Sequence, residues 1–109
     1  MTTTLIKTEI AVVEPQGSIN ALNAEDFKAE LTYYITNYPA VLLDLHGIDF
    51  LDSAGLMAMV SAYRLAQSFG KIFDICSIPP SVKIVFELTQ LDVIFEIFES
   101  REQFELSRT

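Results

Sequence analysis

In Phe50-Leu51-Asp52-Ser53-Ala54-Gly55-Leu56 an acid and a hydroxyl stand side by side where an apolar run gives way to helical periodicity. Three chemistries suit that pair. The simplest is structural: Asp and Ser are preferred helix N-caps, each contributing about 1 kcal/mol by accepting a bond from an orphan backbone amide. The second is a hydrolase nucleophile, because strand, turn, serine, helix is the layout of the Gly-x-Ser-x-Gly elbow. That reading is weak: Leu51 stands where the first glycine belongs, and the only general base on offer is His46, in the same loop. The third is a phosphorylation switch. A phosphate at Ser53 would add about −1.5 to −2 charge units where helix amides can satisfy its oxygens. A partner covering it would have to desolvate that dianion beside Asp52, at a penalty of several kcal/mol.

Little else offers chemistry. One cysteine, Cys76, cannot close an internal disulfide, and with one histidine it cannot build a zinc site, which suits a reducing compartment. Cys76, in an apolar run, reads as a small core residue and His46 as a loop or sheet-edge residue. Gly17 and Gly70 start no phosphate-binding loop, and Glu96, Glu99, Glu102 and Glu105 read as a solvated face, so neither cofactor nor metal is expected. Fifteen acidic against seven basic residues give a net charge of −8, which repels nucleic acid and anionic lipid. The start has neither the basic region nor the long apolar stretch of a secretory signal, and no apolar run approaches the roughly 20 residues that span a bilayer. A cytoplasmic protein without membrane insertion is expected.

The elements that must position Asp52 and Ser53 follow from periodicity. Leu5 to Thr8 and Ile10 to Glu14 read as an opening hairpin or two edge strands, stopped by Pro15 and Gly17. Asn23 reads as the N-cap of a helix with Glu25 and Asp26 in its first turn and Phe27, Leu31, Tyr34, Ile35 and Tyr38 at helical spacing, closed by Pro39. Ala40 to Leu45 is apolar on both alternating faces, as a central strand covered by helices on each side would be. A loop from His46 to Asp52 leads to a second helix, about Ser53 to Phe69, with Leu56, Met59, Val60, Tyr63 and Ala66 at helical spacing and Gly70 at its C-terminal turn. Ile72 to Cys76 reads as another buried strand, and Pro79-Pro80 opens a helix with the face Val82, Val85, Phe86 and Thr89. Val93 to Phe98 is a final strand candidate. Ser100-Arg101-Glu102-Gln103 has the form of a capping box opening a terminal helix. The order ββαβαβαβα predicts an α/β fold, with function at the carboxyl ends of the strands.

At this point Asp52-Ser53-Ala54-Gly55-Leu56, preceded by Val41-Leu42-Leu43-Asp44-Leu45, resembles the signature of STAS domains, typified by bacterial anti-sigma factor antagonists. Gly17-Ser18-Ile19-Asn20 is similar to the family's Gly-x-Ile/Leu-Asp turn, Phe27 and Leu31 match its first helix, and Gly70 precedes its next strand. Leu88-Thr89-Gln90-Leu91-Asp92 resembles its Leu-Thr-Gly-Leu-Asp segment. The resemblance implies one STAS domain over residues 1–109: a small, mixed, largely parallel sheet of four to five strands flanked by about four helices. It also implies a partner switch. In the family the unphosphorylated antagonist binds an anti-sigma factor that is also a serine kinase. Phosphorylation of the motif serine dissolves the complex and a serine phosphatase reverses it. Carried over, Ser53 is the acceptor and the chain catalyses nothing. Ser18, Asn20, Asp52, Ala54, Gly55, Leu56 and Met57 form the partner-binding surface. The sequence departs from the family at Ala54, often a second hydroxyl residue, at Asn20, where the family has Asp, and at Gln90, where it often has Gly. The family also contains transport components, so a constitutive adaptor in a transport or signalling assembly is the alternative.

Overall fold

The computed structural model of the chain describes residues 2–6 and 10–108, with side chains from residue 10 onward. The strands are β1 (Thr2–Ile6), β2 (Ile10–Glu14), β3 (Gly17–Ile19), β4 (Ala40–Asp44), β5 (Ile48–Leu51), β6 (Ile72–Cys76) and β7 (Ile97–Phe98). The helices are α1 (Ala24–Asn37), α2 (Ser53–Ser68), α3 (Pro80–Leu88), α4 (Leu91–Ile94) and α5 (Arg101–Ser107). A five-stranded sheet runs β1-β2-β4-β6-β7, and β3 and β5 form a separate parallel pair. Only β1 is antiparallel to its neighbour, so β2, β4, β6 and β7 make a four-stranded parallel sheet.

The uninterrupted apolar runs become the central strands because they are covered on both faces. Val13, Val41, Leu43, Phe73 and Ile75 point to one side and pack with Phe27, Leu31, Met59 and Phe86 of α1, α2 and α3. Ile10, Val12, Ala40, Leu42 and Cys76 point to the other, where Phe104 of α5 closes over them. The parallel register pairs Val13 with Leu43 and Leu43 with Ile75, which keeps each side's apolar set in line.

Several expectations change. The opening pair is a hairpin, but β2 lies inside the sheet between β1 and β4; residues 7 and 8 of the expected first strand lie outside the described residues. The stretch read as a loop from His46 to Asp52 contains β5, which pairs with β3, a strand of only three residues. Two such short segments carry no period of their own; each is a strand because the other is beside it. Val93 to Phe98 is not one strand: Leu91–Ile94 forms a one-turn helix and only Ile97–Phe98 joins the sheet. Thr89 is the exposed C-cap of α3 rather than part of its buried face, which is Val82 and Phe86. The expected caps at Gly70 and Ser100 are present: Lys71 N donates to Ala66 O at 2.8 Å, and Ser100 Oγ accepts from Gln103 N at 3.2 Å. Among the described residues no helix is long and apolar enough to cross a membrane.

Gln90, the residue where the family often has glycine, sits at φ 62°. A left-handed backbone costs an L-residue about 1–2 kcal/mol, and glycine would give back about 0.5–1 kcal/mol of that in chain entropy. Gln90→Gly is therefore expected to stabilise the fold by about 0.5–1 kcal/mol, read as a higher Tm in thermal unfolding. A second prediction concerns Asp74 on β6. Burial, followed by the nearby charge of Glu96 and opposed by Arg108, pushes its carboxyl up to about 6. Because the folded pKa exceeds the unfolded one, this group's contribution is most favourable in acid and is lost as pH rises through 6. Asp74→Asn should raise stability by about 1 kcal/mol at pH 7.5, a value discounted for the side chain's partial exposure. In urea titrations the gain should shrink below pH 6 and vanish near pH 4.

Candidate functional site

Asp52 ends the β5 segment in an extended conformation, φ −96° and ψ −175°, and caps α2: its Oδ1 accepts from Gly55 N at 3.1 Å. The other carboxylate oxygen reaches across to Ala21 N at 3.2 Å, and Asp52 N donates to Ile19 O at 3.1 Å. One acid thus fastens the start of α2 to the turn that follows β3. Ser53, the first helical residue, is left exposed, and its hydroxyl has no hydrogen-bond partner among the described residues. The capping function and the free hydroxyl are divided between two adjacent residues.

The rest of the motif explains the close approach behind it. A Cβ at Gly55 would stand 2.6 Å from Leu51 Cδ1 and 2.9 Å from Ile19 Cγ2, so a larger residue would make these buried side chains shift, and glycine lets α2 settle closely on the β3–β5 pair. Leu56 turns inward to the core cluster. Of the other expected docking residues, Ser18 and Met57 are exposed, and Asn20, Asp52 and Ala54 are half-buried; Gly55 and Leu56 are buried and shape the helix behind the surface.

Asn23 behaves differently from the expected cap. Its backbone carbonyl accepts from Phe27 N at 3.0 Å, but its side chain makes no capping bond. It turns instead to the preceding loop: Oδ1 accepts from Asn20 N at 2.9 Å and Nδ2 donates to Ser18 O at 2.8 Å. Asn20 Oδ1 in turn accepts from Leu22 N at 2.9 Å. Only the oxygen of Asn20 is used, so an Asn serves this turn as the family's Asp would. Sequence reasoning missed Leu22 and Phe50, two exposed large apolar residues beside the motif, the second paired with Ser18 across β3–β5. Their one signal in the sequence was to be apolar outside any helical or alternating pattern.

A second polar cluster lies where β2 and β4 end. Asp44, 3% exposed, accepts from Arg101 Nε at 2.7 Å and lies 2.8 Å from His46 Nδ1. Arg101 also pairs with Glu14, and His46 Nε2 lies 3.6 Å from the Glu14 carboxylate. Burial works to raise the Asp44 pKa, but the hydrogen bonds from Arg101 and His46 outweigh it and hold the carboxyl below its usual range. Glu14, Asp44 and His46 have the donor types of a metal site, yet the guanidinium between the two carboxylates already supplies the opposing charge. Both nitrogens of His46 face carboxylates, so nothing joins it to Ser53 as a base. Cys76 is buried, and burial pushes its thiol up to about 11, which keeps it protonated in the core.

Comparison with known proteins agrees with this architecture. The model of the STAS domain matches residues 2–104. BtrV of Bordetella bronchiseptica, named as an anti-sigma factor antagonist, is 37% identical over 89 residues, covering 80% of this chain and 76% of BtrV. The crystal structure of a Thermotoga maritima protein with the same description superposes with a TM-score of 0.89 at 25% identity, over 99% of this chain and 94% of that one. SpoIIAA, solved in unphosphorylated and phosphorylated forms, shares the fold with TM-scores of 0.80 and 0.74 at 16% and 15% identity, over 98% and 97% of this chain and 95% and 97% of SpoIIAA. With a family model matching nearly the whole chain and a relative 37% identical over 80% of it, the chain belongs to the STAS domain family.

Proposed function

We propose that this protein is an anti-sigma factor antagonist whose binding surface is switched by phosphorylation of Ser53. With the serine free, the face built by Ser18, Asn20, Asp52, Ser53, Ala54 and Met57 docks on an anti-sigma factor that is also a serine kinase. The kinase modifies Ser53, the complex separates, and a serine phosphatase restores the free hydroxyl. The observation that carries this is the hydroxyl of Ser53, exposed and without a partner among the described residues at the head of α2 while Asp52 performs the capping. Modification there disturbs no hydrogen bond of that hydroxyl among the described residues, so its effect falls on the partner.

Charge gives the modification its force. Asp52 precedes Ser53 in the chain, and the exposed Glu25 lines the groove between α1 and α2 with Lys28 as the cation beside it. A phosphate adds about −1.5 to −2 units to a face already negative. Closing a protein surface over it costs several kcal/mol, orders of magnitude in affinity. The named role of BtrV supports the partner class. The test is phosphosite mapping of the chain from native cells, with its complex challenged by ATP: phosphate on Ser53 and release of the partner are expected. Release that persists in Ser53→Ala would refute the assignment.

A further inference from the structure

Leu22 is 94% exposed, the most exposed large apolar side chain among the described residues, yet it is not on a slack loop. Its turn is held by the side chains of Asn20, Asn23 and Asp52 through the four hydrogen bonds given above. Three polar side chains therefore fix the position of a leucine that contributes nothing to the core. Single exposed apolar residues are ordinary on protein surfaces; one displayed on a rigid turn beside the modification site is preorganised for contact, because little freedom remains to be lost on binding.

The ground next to it is shaped to match. Between α1 and α2 lies a cavity of about 300 Å³ lined by Ala21, Ala24, Lys28, Ala54, Met57 and Ser61. Met57, 57% exposed, stands one helical turn beyond Ser53. Glu25 lines the same cavity beside Lys28, and the carboxylate of Asp52 is bonded to Ala21 N at its edge, so two carboxylates stand against one cation on this face of a chain whose net charge is −8.

We propose that Leu22 is the apolar anchor by which this face grips a protein partner. It enters an apolar pocket rimmed by lysine or arginine, while an apolar side chain of the partner fills the cavity between α1 and α2. The partner's identity as an anti-sigma factor rests on the preceding reading; the anchor itself acts by shape and does not depend on the phosphate.

The test places a photo-crosslinking phenylalanine derivative in the full chain, in its native cells, at position 22, at position 57 and at position 88. The last is a control on α3, where Leu88 is 80% exposed. Positions 22 and 57 should capture one and the same protein and position 88 should not. Capture from 88 in place of 22, or from none of the three, overturns the proposal. With the captured protein purified, Leu22→Ala should raise Kd by about 30-fold or more while Tm stays unmoved, and the association rate should fall as salt rises. A change in Kd below about threefold, or an association rate indifferent to salt, overturns the anchor as stated. Ser53→Asp measured alongside separates the two readings. Loss with Ser53→Asp alone removes the anchor and leaves the switch; loss with Leu22→Ala alone removes the switch and leaves the anchor.

Discussion

Ser53→Asp should weaken binding of the anti-sigma partner by two to three orders of magnitude, about 3–4 kcal/mol, while thermal stability changes by less than about 0.5 kcal/mol, the usual range for an exposed site. Both halves follow from geometry. The side chain is exposed and makes no hydrogen bond among the described residues, so the folded state loses nothing. An added carboxylate at the first position of a helix is even mildly favoured by the helix dipole. The complex must bury that charge beside Asp52, whose own carboxylate is committed to Gly55 N and Ala21 N and so cannot move away. Ser53→Ala should bind about as well as the wild type and resist release by ATP. Titration calorimetry with the purified partner decides the matter: equal affinities for the Asp and Ala variants would end the proposal.

Arg101→Ala should destabilise the fold by about 3 kcal/mol at neutral pH, near the low end for a broken buried ion pair because Arg101 itself is partly exposed. The arginine opens α5 and joins it to β2 and β4 through Glu14 and Asp44. In the intact protein Asp44 titrates below its usual range, so its stabilisation is present at neutral pH and lost as pH falls through the depressed value. Without the guanidinium, burial becomes the dominant influence on a carboxylate only 3% exposed, and its pKa rises above the unfolded value. The sign then reverses: the contribution is favourable in acid and is lost as pH climbs. Urea unfolding at pH 7 and pH 4.5 should show a smaller deficit for the variant in acid. A deficit that is equal or larger there would mean that Asp44 is not the group left uncompensated.

The sheet was legible in the sequence because its central strands are buried on both sides. Ala40 to Leu45 and Ile72 to Cys76 have no polar face, and that pattern has few solutions other than a parallel strand under helices. The helices announced themselves through Phe27, Leu31 and Ile35, and through Leu56, Met59 and Ala66, residues spaced to bury one stripe. The helix start at Asp52 and Ser53 was legible too, since such a start is a local event governed by neighbours in the chain.

What escaped the sequence is what depends on residues far apart in it. β3 and β5 are short segments without a period, and each is a strand only because the other lies alongside. Asn23 looked like a cap because asparagine before a helix usually is one. Its amide turned away because Ser18 O and Asn20 N stood within reach, and that choice displayed Leu22. Arg101, unremarkable as the residue after a capping serine, meets an aspartate 57 positions earlier. The sequence by itself thus determined the layered α/β architecture and the hydroxyl at the head of α2, because hydrophobic period and capping act between near neighbours. Only the tertiary structure decided which side chains surround that hydroxyl, which are buried behind it and which charges are matched, because those contacts form only once the loops at the strand ends are folded together.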